Sequence, residues 1–531
     1  MTSRRGFLLA TAGGFAVGQL APPPRASTGA LIGASHNRGH LLRDAAKLAP
    51  PSSVERADVV IVGGGVSGLS AAWRLSALGV DAVVLELESF IGGTSSWGED
   101  GVVPHPWGAH YLPVPNIEAR PALRLLADMG VLTGWDAANR PRFEPRMLCH
   151  APDDRIFYRG AWHLGLVPQA ALEAPELAEV KRFVEIAESY TQRRGNDGRF
   201  FFQIPIGESS RDPEALELDQ MTMAEWLDEK GFTSPFVRWF VKYATLDDFG
   251  ADLTDVSAWA GLHYFAARKL EGPELEGSHY LVWPEGNGHL VRALLERTDA
   301  RIVHDAVTLN VEPTTDGASV LYLDASTGKT RRIDANGVLL AVPGFIANRI
   351  APSVRRSPIV RKSSPWVVAN LHVERPITND LAWDSVIYES EGLGYVDASH
   401  QLTPPREPTV LTYFRAFGEA DVAARRRVLE GRSWELLARD VFEDLGSAHP
   451  DLAERTSRID FAVWGHAMPR PTKGFLGATP FEPSVLLDDR IAWAHVDQQG
   501  IALFEEGQRA GVVAAEAIAE AIGVNVDETW L

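Results

Sequence analysis

Between residues 58 and 86 the hydrophobic pattern of the chain changes period twice. Val59 to Val62 is an unbroken apolar run, the mark of a strand covered on both faces. Beyond it, Leu69, Ala72, Trp73 and Leu75 fall on or near one face of a helix, and Gly79 supplies a C-terminal stop. A second apolar run, Ala82 to Leu85, returns to strand. Further on, helical spacing covers Glu176–Tyr190, Thr222–Lys230 and Thr254–Ala267, joined by aromatic-rich connections. Tyr280 to Pro284 leads to a glycine turn and a helix starting near His289. Strands are expected at Val307–Val311, Ala318–Leu323 and, after a turn at Thr327-Gly328-Lys329, Thr330–Ile333. Gly337 to Pro343 reads as a separate central strand, Trp366–Val373 as a strand, and Ala420–Leu445 as one long helix. An alanine-rich helix opened by Glu505-Glu506-Gly507 closes the chain.

The turn inside the first unit carries the chemistry. Gly63, Gly65 and Gly68 form a G-x-G-x-x-G between strand and helix. Gly63 makes the tight turn, Gly65 lets a pyrophosphate touch backbone, and Gly68 lets the helix pack close to the strand. The helix start at Val66 and Ser67 offers free N–H groups and a positive dipole end to phosphate. Glu86 ends the second strand, where its carboxylate can bind ribose hydroxyls, and an acidic residue there argues against a 2′-phosphate. An adenine dinucleotide is the expected ligand.

Composition narrows the picture. The 531 residues include 45% hydrophobic and 23% charged side chains, ordinary for a soluble globular protein. A formal net charge of −19 argues against nucleic acid as a partner. Cys149 is the single cysteine, which excludes an intrachain disulfide and a thiolate metal cluster. No metal site is expected, since His263 and His279 have no metal-binding spacing. At the N-terminus, Arg4-Arg5 precedes a short, weakly apolar run through Leu20. This looks like a twin-arginine export signal, so the expected partners include that export machinery and the expected location is the periplasm or beyond. Cleavage near Ala21 or between Ala26 and Ala30, or retention as an anchor, are all open. Pro22-Pro23-Pro24 and Pro50-Pro51 bracket an expected flexible linker.

With these parts in order, the chain resembles the flavin-containing amine oxidase superfamily, which also holds phytoene desaturases and protoporphyrinogen oxidase. The Gly63 motif, Glu86 and the pair Gly92-Gly93 carry the resemblance first. Gly108-Ala109-His110 is similar to a segment that passes near the flavin. The block from Trp283-Pro284-Glu285-Gly286 through Val307 to Ala341-Val342-Pro343 is similar to the family's glycine turn, adenine-side valine and buried strand. Asp497 and Glu505-Glu506-Gly507 resemble the acidic residue and helix start near the ribityl and pyrimidine ends. The resemblance implies FAD, held noncovalently because no cysteine lies near the C-terminal motif. Thr94 stands where the family commonly has arginine, and Trp366–His372 lacks the lysine that many amine oxidases place beside the flavin.

The implied fold is α/β: a Rossmann-like FAD-binding domain, discontinuous, with an inserted mixed α+β substrate domain. The expected boundaries are a signal region at 1–30, a linker at 31–55, FAD-binding parts at 56–125, 280–365 and 475–525, and substrate parts at 126–279 and 366–474. The expected activity is oxidation of a small organic substrate, an amine foremost, by hydride transfer to flavin N5. Oxygen or a quinone would take the electrons. A desaturase acting on a C–C bond of an apolar substrate and a flavin-bound protein without turnover are the competing readings. His110, His466 and Trp464 are the candidate catalytic residues, with His372 a weaker one. A cavity walled by aromatic rings is expected to do much of the positioning.

Overall fold

The computed structural model describes residues 28–32, 36–43, 50–99, 103–269, 279–374, 382–403, 408–478 and 485–531. Arg4-Arg5 and the rest of residues 1–27 lie outside the described residues. Two eight-stranded sheets organise what is described.

The first sheet is the dinucleotide-binding one. Its strands run in the order Arg301–Val303, Ala82–Leu85, Val54–Val62, Lys329–Leu340, Ala318–Asp324 and Ala306–Pro313, with Ile491–Trp493 and Leu486–Asp488 joined to the Lys329–Leu340 strand. Ala82–Leu85, Val54–Val62, Lys329–Leu340 and Ile491–Trp493 pair in parallel, in register Val59↔Ala82, Val59↔Gly337 and Val338↔Ile491. The sheet is therefore assembled from the start, middle and end of the chain. Val59, Val60 and Ile61 are completely buried, as a parallel strand between helical layers requires.

One expectation is corrected in this sheet. The return strand at Thr330–Ile333 and the central strand beginning at Gly337 are a single strand, Lys329–Leu340. Its first half is the antiparallel partner of Ala318–Asp324, and it then continues beside Val54–Val62 and Ile491–Trp493. Polar Asp334 and Asn336 break the apolar run, yet both halves satisfy their backbone groups on neighbouring strands. Gly337 sits at the join, where a β-carbon would press on the Ile518 side chain of the C-terminal helix.

The second sheet runs Leu31–Ile32, Thr456–Pro469, Ser363–Val373, Thr409–Ala416, Tyr395–Asp397, Asp384–Ile387, Asp154–Tyr158 and Ala161–Leu164. Every residue of Ser363–Val373 is buried. Leu31–Ile32 adds a short parallel edge strand on Phe461-Ala462, and the Ala30 N–H donates to Asp460 Oδ1 at 2.8 Å. The stretch expected to be a linker is thus anchored at its start. The long helix expected at Ala420–Leu445 is two helices, Val422–Glu430 and Trp434–Leu445. Gly431 ends the first, and Ser433 caps the second through its hydroxyl, which accepts from the Leu436 N–H. The helix expected at Thr254–Ala267 is shortened to Ala258–Ala266, because Ser257 caps it.

A helical layer has its own apolar core around Phe183, Trp226, Phe236 and Trp259, which also takes in Ile156 and Tyr158 of the second sheet. The C-terminal helix, Phe504–Ala521, packs on the Val66–Ala77 helix. Gly511 makes this possible: a β-carbon there would overlap the Ser67 carbonyl oxygen.

Candidate active site

The glycine turn builds a cradle with an open centre. Gly63 adopts φ +104°, a conformation that side chains rarely take. A β-carbon on Gly68 would overlap the Gly63 carbonyl oxygen, so helix and turn touch backbone to backbone. Gly65 differs: a β-carbon there would meet nothing within 4 Å. Gly65 is also the N-cap of the Val66–Ala77 helix and makes no side-chain cap bond, so the first-turn N–H groups at Val66 and Ser67 face unfilled space. Gly92 and Gly93, at φ +105° and +57°, close the cradle from the other side, with the Gly92 N–H donating to the Gly64 carbonyl at 2.9 Å.

Glu86 is buried at the strand end. Its two carboxylate oxygens accept from the Gly64 and Glu88 N–H groups, each at 2.8 Å. Burial raises its pKa to about 7 against the lowering effect of those bonds. Val307 is completely buried next to Ala306, whose N–H donates to the Glu86 carbonyl at 2.8 Å. Thr94 contributes backbone: its carbonyl accepts from the Ala109 N–H at 2.8 Å, and a β-carbon on Gly108 would overlap the same oxygen. The 108–110 segment is held from its other face by the Gly286 turn, with the Asn287 N–H donating to the Ala109 carbonyl at 3.0 Å.

The acidic residues of the C-terminal block are all buried. Asp497 Oδ2 accepts from the Gly344 N–H at 2.8 Å. Glu506 Oε1 accepts from the Ile206 N–H at 2.6 Å, and burial raises its pKa to about 7. Glu505 pairs with Arg268 through Oε1.

His110 opens a second feature that the sequence did not show. Its ring stacks on Phe414 with centroids 4.2 Å apart and lies 5.7 Å from Trp383. Its Nδ1 lies 3.4 Å from the Gly108 carbonyl. Burial lowers its pKa to about 4, so at neutral pH the ring is uncharged, and Nε2 keeps a lone pair if Nδ1 carries the proton toward Gly108. Next to it stand Tyr111, Tyr280 and Trp383, whose ring centroids are 5.2 to 5.9 Å apart. Tyr111 and Tyr280 come from a two-stranded ribbon, Tyr111–Pro113 with Tyr280–Val282.

Carboxylates face these rings. The Pro235–Phe249 helix presents Trp239, Tyr243 and Asp247 at successive intervals of four, on one side. The Tyr111 hydroxyl donates to Asp247 Oδ2 at 3.3 Å, and the Tyr243 hydroxyl to Asp384 Oδ2 at 3.4 Å. Burial, then the charges of Asp247 and Asp154, push the Asp384 carboxyl well above its usual range. Burial raises Asp247 and Asp154 to about 6 and Asp248 to about 7. His110, Tyr111, Asp247, Asp248, Tyr280 and Asp384 lie deep in the fold, yet each keeps an accessible face. Accessible faces on residues this deep mark interior space among them, walled by the cluster of Tyr243, Trp383 and Phe414. The signal in the sequence was faint: Tyr243 and Asp247 are polar groups on the apolar-patterned side of a helix.

The other candidates are placed elsewhere. Trp464 is buried in register with Trp366 across two strands, and its indole N–H donates to the Trp107 carbonyl at 2.7 Å. That leaves it a wall residue with no free donor. His466 lies against Phe345, 4.6 Å between centroids, and feels the charges of Arg426 and Asp497. Burial, then the charge of Arg426, lowers its pKa to about 4, although the residue keeps a solvent-accessible face. It therefore borders the Asp497 end of the molecule, not the His110 space. His372 is turned toward Asp460, 3.5 Å away, and toward His105. His263 is 3.1 Å from the Gln203 carbonyl through Nε2 and stacks on Trp259.

Comparison with known proteins identifies the class that carries this glycine cradle. The model of the flavin containing amine oxidoreductase family matches residues 66–519, and the chain belongs to that family. AofH of Mycobacterium tuberculosis, whose name provisionally assigns it as a flavin-containing monoamine oxidase, is 25% identical over 310 residues, 57% of this chain and 59% of that protein. The chain thus spans less than two thirds of the curated relative it matches. In fold it is similar to putrescine oxidase bound to putrescine, with TM-score 0.63 and 17% identity over 88% of this chain and all of that one. Cyclohexylamine oxidase from Brevibacterium oxydans IH-35A aligns with TM-score 0.59 and 18% identity, over 88% of this chain and 99% of that chain.

The family's cofactor is FAD, and the residues present fit it. Open space above Gly65, uncapped N–H groups at Val66 and Ser67, and buried Glu86 match the pyrophosphate and adenosine ribose. Cys149, the only cysteine, packs near Trp107, Tyr243 and Trp383, and the Asp497 and Glu505 block holds none.

The raised carboxyls predict an unusual pH dependence of stability. A group whose folded pKa exceeds its unfolded value supports the fold below the unfolded pKa and loses that support as pH rises through the folded one. For Asp154, Asp247, Asp248, Glu86 and Glu506 the window runs from about 4 to about 7. Ligand-free protein is therefore expected to melt higher at pH 6 than at pH 8. Replacing Asp247 and Asp248 together by Asn should narrow that gap, and an unchanged gap in calorimetry would contradict the assignment.

Proposed function

We propose that this protein is an exported FAD-dependent amine oxidoreductase. The reading rests on family membership and on one observation above all: a ring-walled cavity lined by carboxylates adjoins the Gly108-Ala109-His110 segment. An amine is cationic at neutral pH and must lose a proton before its α-carbon can release hydride. His110, uncharged and with one ring nitrogen aimed away from Gly108, is the group we assign to accept a hydrogen bond from the neutral nitrogen once that proton has left to solvent. Tyr111, Trp383 and Phe414 orient the carbon and keep water out. When bound, FAD supplies the two-electron acceptor, and oxygen or a quinone then takes the electrons onward. The substrate is left as an iminium, which water hydrolyses to a carbonyl compound and ammonia or a smaller amine.

An apolar substrate oxidised at a C–C bond is the weaker reading. It would bury Asp247 and Asp384 against hydrocarbon with no opposite charge. Export rests on Arg4-Arg5 and the segment after it, and replacing both arginines by lysine should leave the protein in the cytoplasm.

The deciding experiment is anaerobic titration of the yellow protein with a panel of primary and secondary amines. Loss of the visible flavin band with at least one amine, and peroxide on readmitting oxygen or quinol with a quinone, are expected. A flavin that no amine bleaches would defeat the proposal.

A further inference from the structure

We infer that the substrate carries two cationic nitrogens, and that Asp384, Asp154 and Asp247 hold the one that does not react. The inference rests on the amine reading for the reacting end; the distal end is argued from the cavity itself.

Asp384 opens the Asp384–Ile387 strand and lies directly beside Asp154 of the parallel Asp154–Tyr158 strand, in register. Like charges side by side on neighbouring strands repel. Asp247 approaches from the helix opposite, close enough to disfavour the charge on Asp384. Among the described residues no lysine or arginine pairs with these three carboxylates. Their side-chain partners are phenols, Tyr243 on Asp384 and Tyr111 on Asp247. The cation that does reach this region, Arg268, is already paired with Glu505. Glu505 is itself 2% exposed, and its second oxygen, Oε2, has no hydrogen bond. Arg268 and Glu505 both act on Asp248, one turn-position beyond Asp247, so this end of the cavity too has acceptor capacity to spare.

Buried carboxylates without an opposite charge cost free energy unless protonated or paired. The walls are suited to pairing. Tyr111 stands nearly edge-on to Tyr280 and Trp383, which are tilted 35° from each other, and such π-faces attract an ammonium ion. The rings extend from His110 to Trp383, and Trp383 is followed in the chain by Asp384. An elongated substrate with one nitrogen at His110 therefore reaches the carboxylates with its other end. A monoamine fills only the first position and leaves the carboxylates as they are.

The test uses ligands that cannot be oxidised, so that binding is read apart from turnover. A diamine whose nitrogen-bearing carbons are both fully methyl-substituted has no α-hydrogen to lose. It is compared calorimetrically with the monoamine of the same skeleton, in which a methyl replaces one nitrogen, on the oxidised holoenzyme. The dication is expected to bind at least about tenfold tighter, as desolvated charge pairs permit. Asp384→Asn and Asp247→Asn, which remove charge and keep volume, should each abolish most of that preference. Equal affinity for the two ligands in the unaltered protein overturns the inference, and that comparison needs no variant to fold. A preference that survives both substitutions overturns the assignment to these carboxylates. If no amine bleaches the flavin but the dication is still preferred, the amine-oxidation reading fails while the dication site stands.

Discussion

Gly65→Val should yield a folded, colourless protein. The β-carbon of residue 65 points into space with no protein atom within 4 Å, and its φ of −79° is one that valine adopts without strain. Nothing in the protein alone resists the change. The isopropyl group would occupy the volume in front of the Val66–Ala77 helix start, where a pyrophosphate has to touch backbone. FAD affinity is expected to fall by at least about 100-fold, equivalent to about 3 kcal/mol, with the melting temperature of apo-protein little changed. The measurement is flavin fluorescence released on heating, paired with calorimetry of the stripped protein. A yellow Gly65→Val protein with stoichiometric FAD would place the pyrophosphate elsewhere.

Gly511→Val is expected to do the reverse and damage the fold itself. A β-carbon at 511 would overlap the Ser67 carbonyl oxygen and press on Ser70, so the C-terminal helix must move off the Val66–Ala77 helix. Overpacking of this kind costs typically 1–3 kcal/mol, and the obstacle here is backbone that cannot rotate away. A loss of about 3 kcal/mol in chemical denaturation is expected, accompanied by weaker FAD retention because Ser67 and the first-turn N–H groups shift together. Wild-type stability in Gly511→Val would mean that the two helices are not in contact as described. Comparing the two variants separates a glycine needed by the ligand from a glycine needed by the packing.

Much of the cofactor side was legible from residue order. Val59–Val62, the glycine turn, Ala82–Leu85 and Glu86 are contiguous, and their geometry is set by local rules of strand, turn and helix. Element limits failed where local signals competed. The strand Lys329–Leu340 was split in two because Asp334, Ala335 and Asn336 interrupt its apolar pattern, although ladder pairing on both sides carries it through. The two helices at 422–445 were merged because Gly431 and Ser433 sit within an otherwise helical composition. Among the site residues, His110 stacks on Phe414, whereas Trp464 spends its N–H on Trp107 and His372 is turned to Asp460.

By itself the sequence determined that Gly63–Gly68 and Glu86 build a strand-end cradle that fits a dinucleotide, because that shape is made by consecutive backbone groups whose spacing is covalent. Only the tertiary structure brought the carboxylates together. Asp154, Asp247 and Asp384 lie far apart along the chain and are unremarkable in their own segments. They become one acidic site because a helix and two parallel strands bring them together out of water, where the repulsion between their charges is no longer screened.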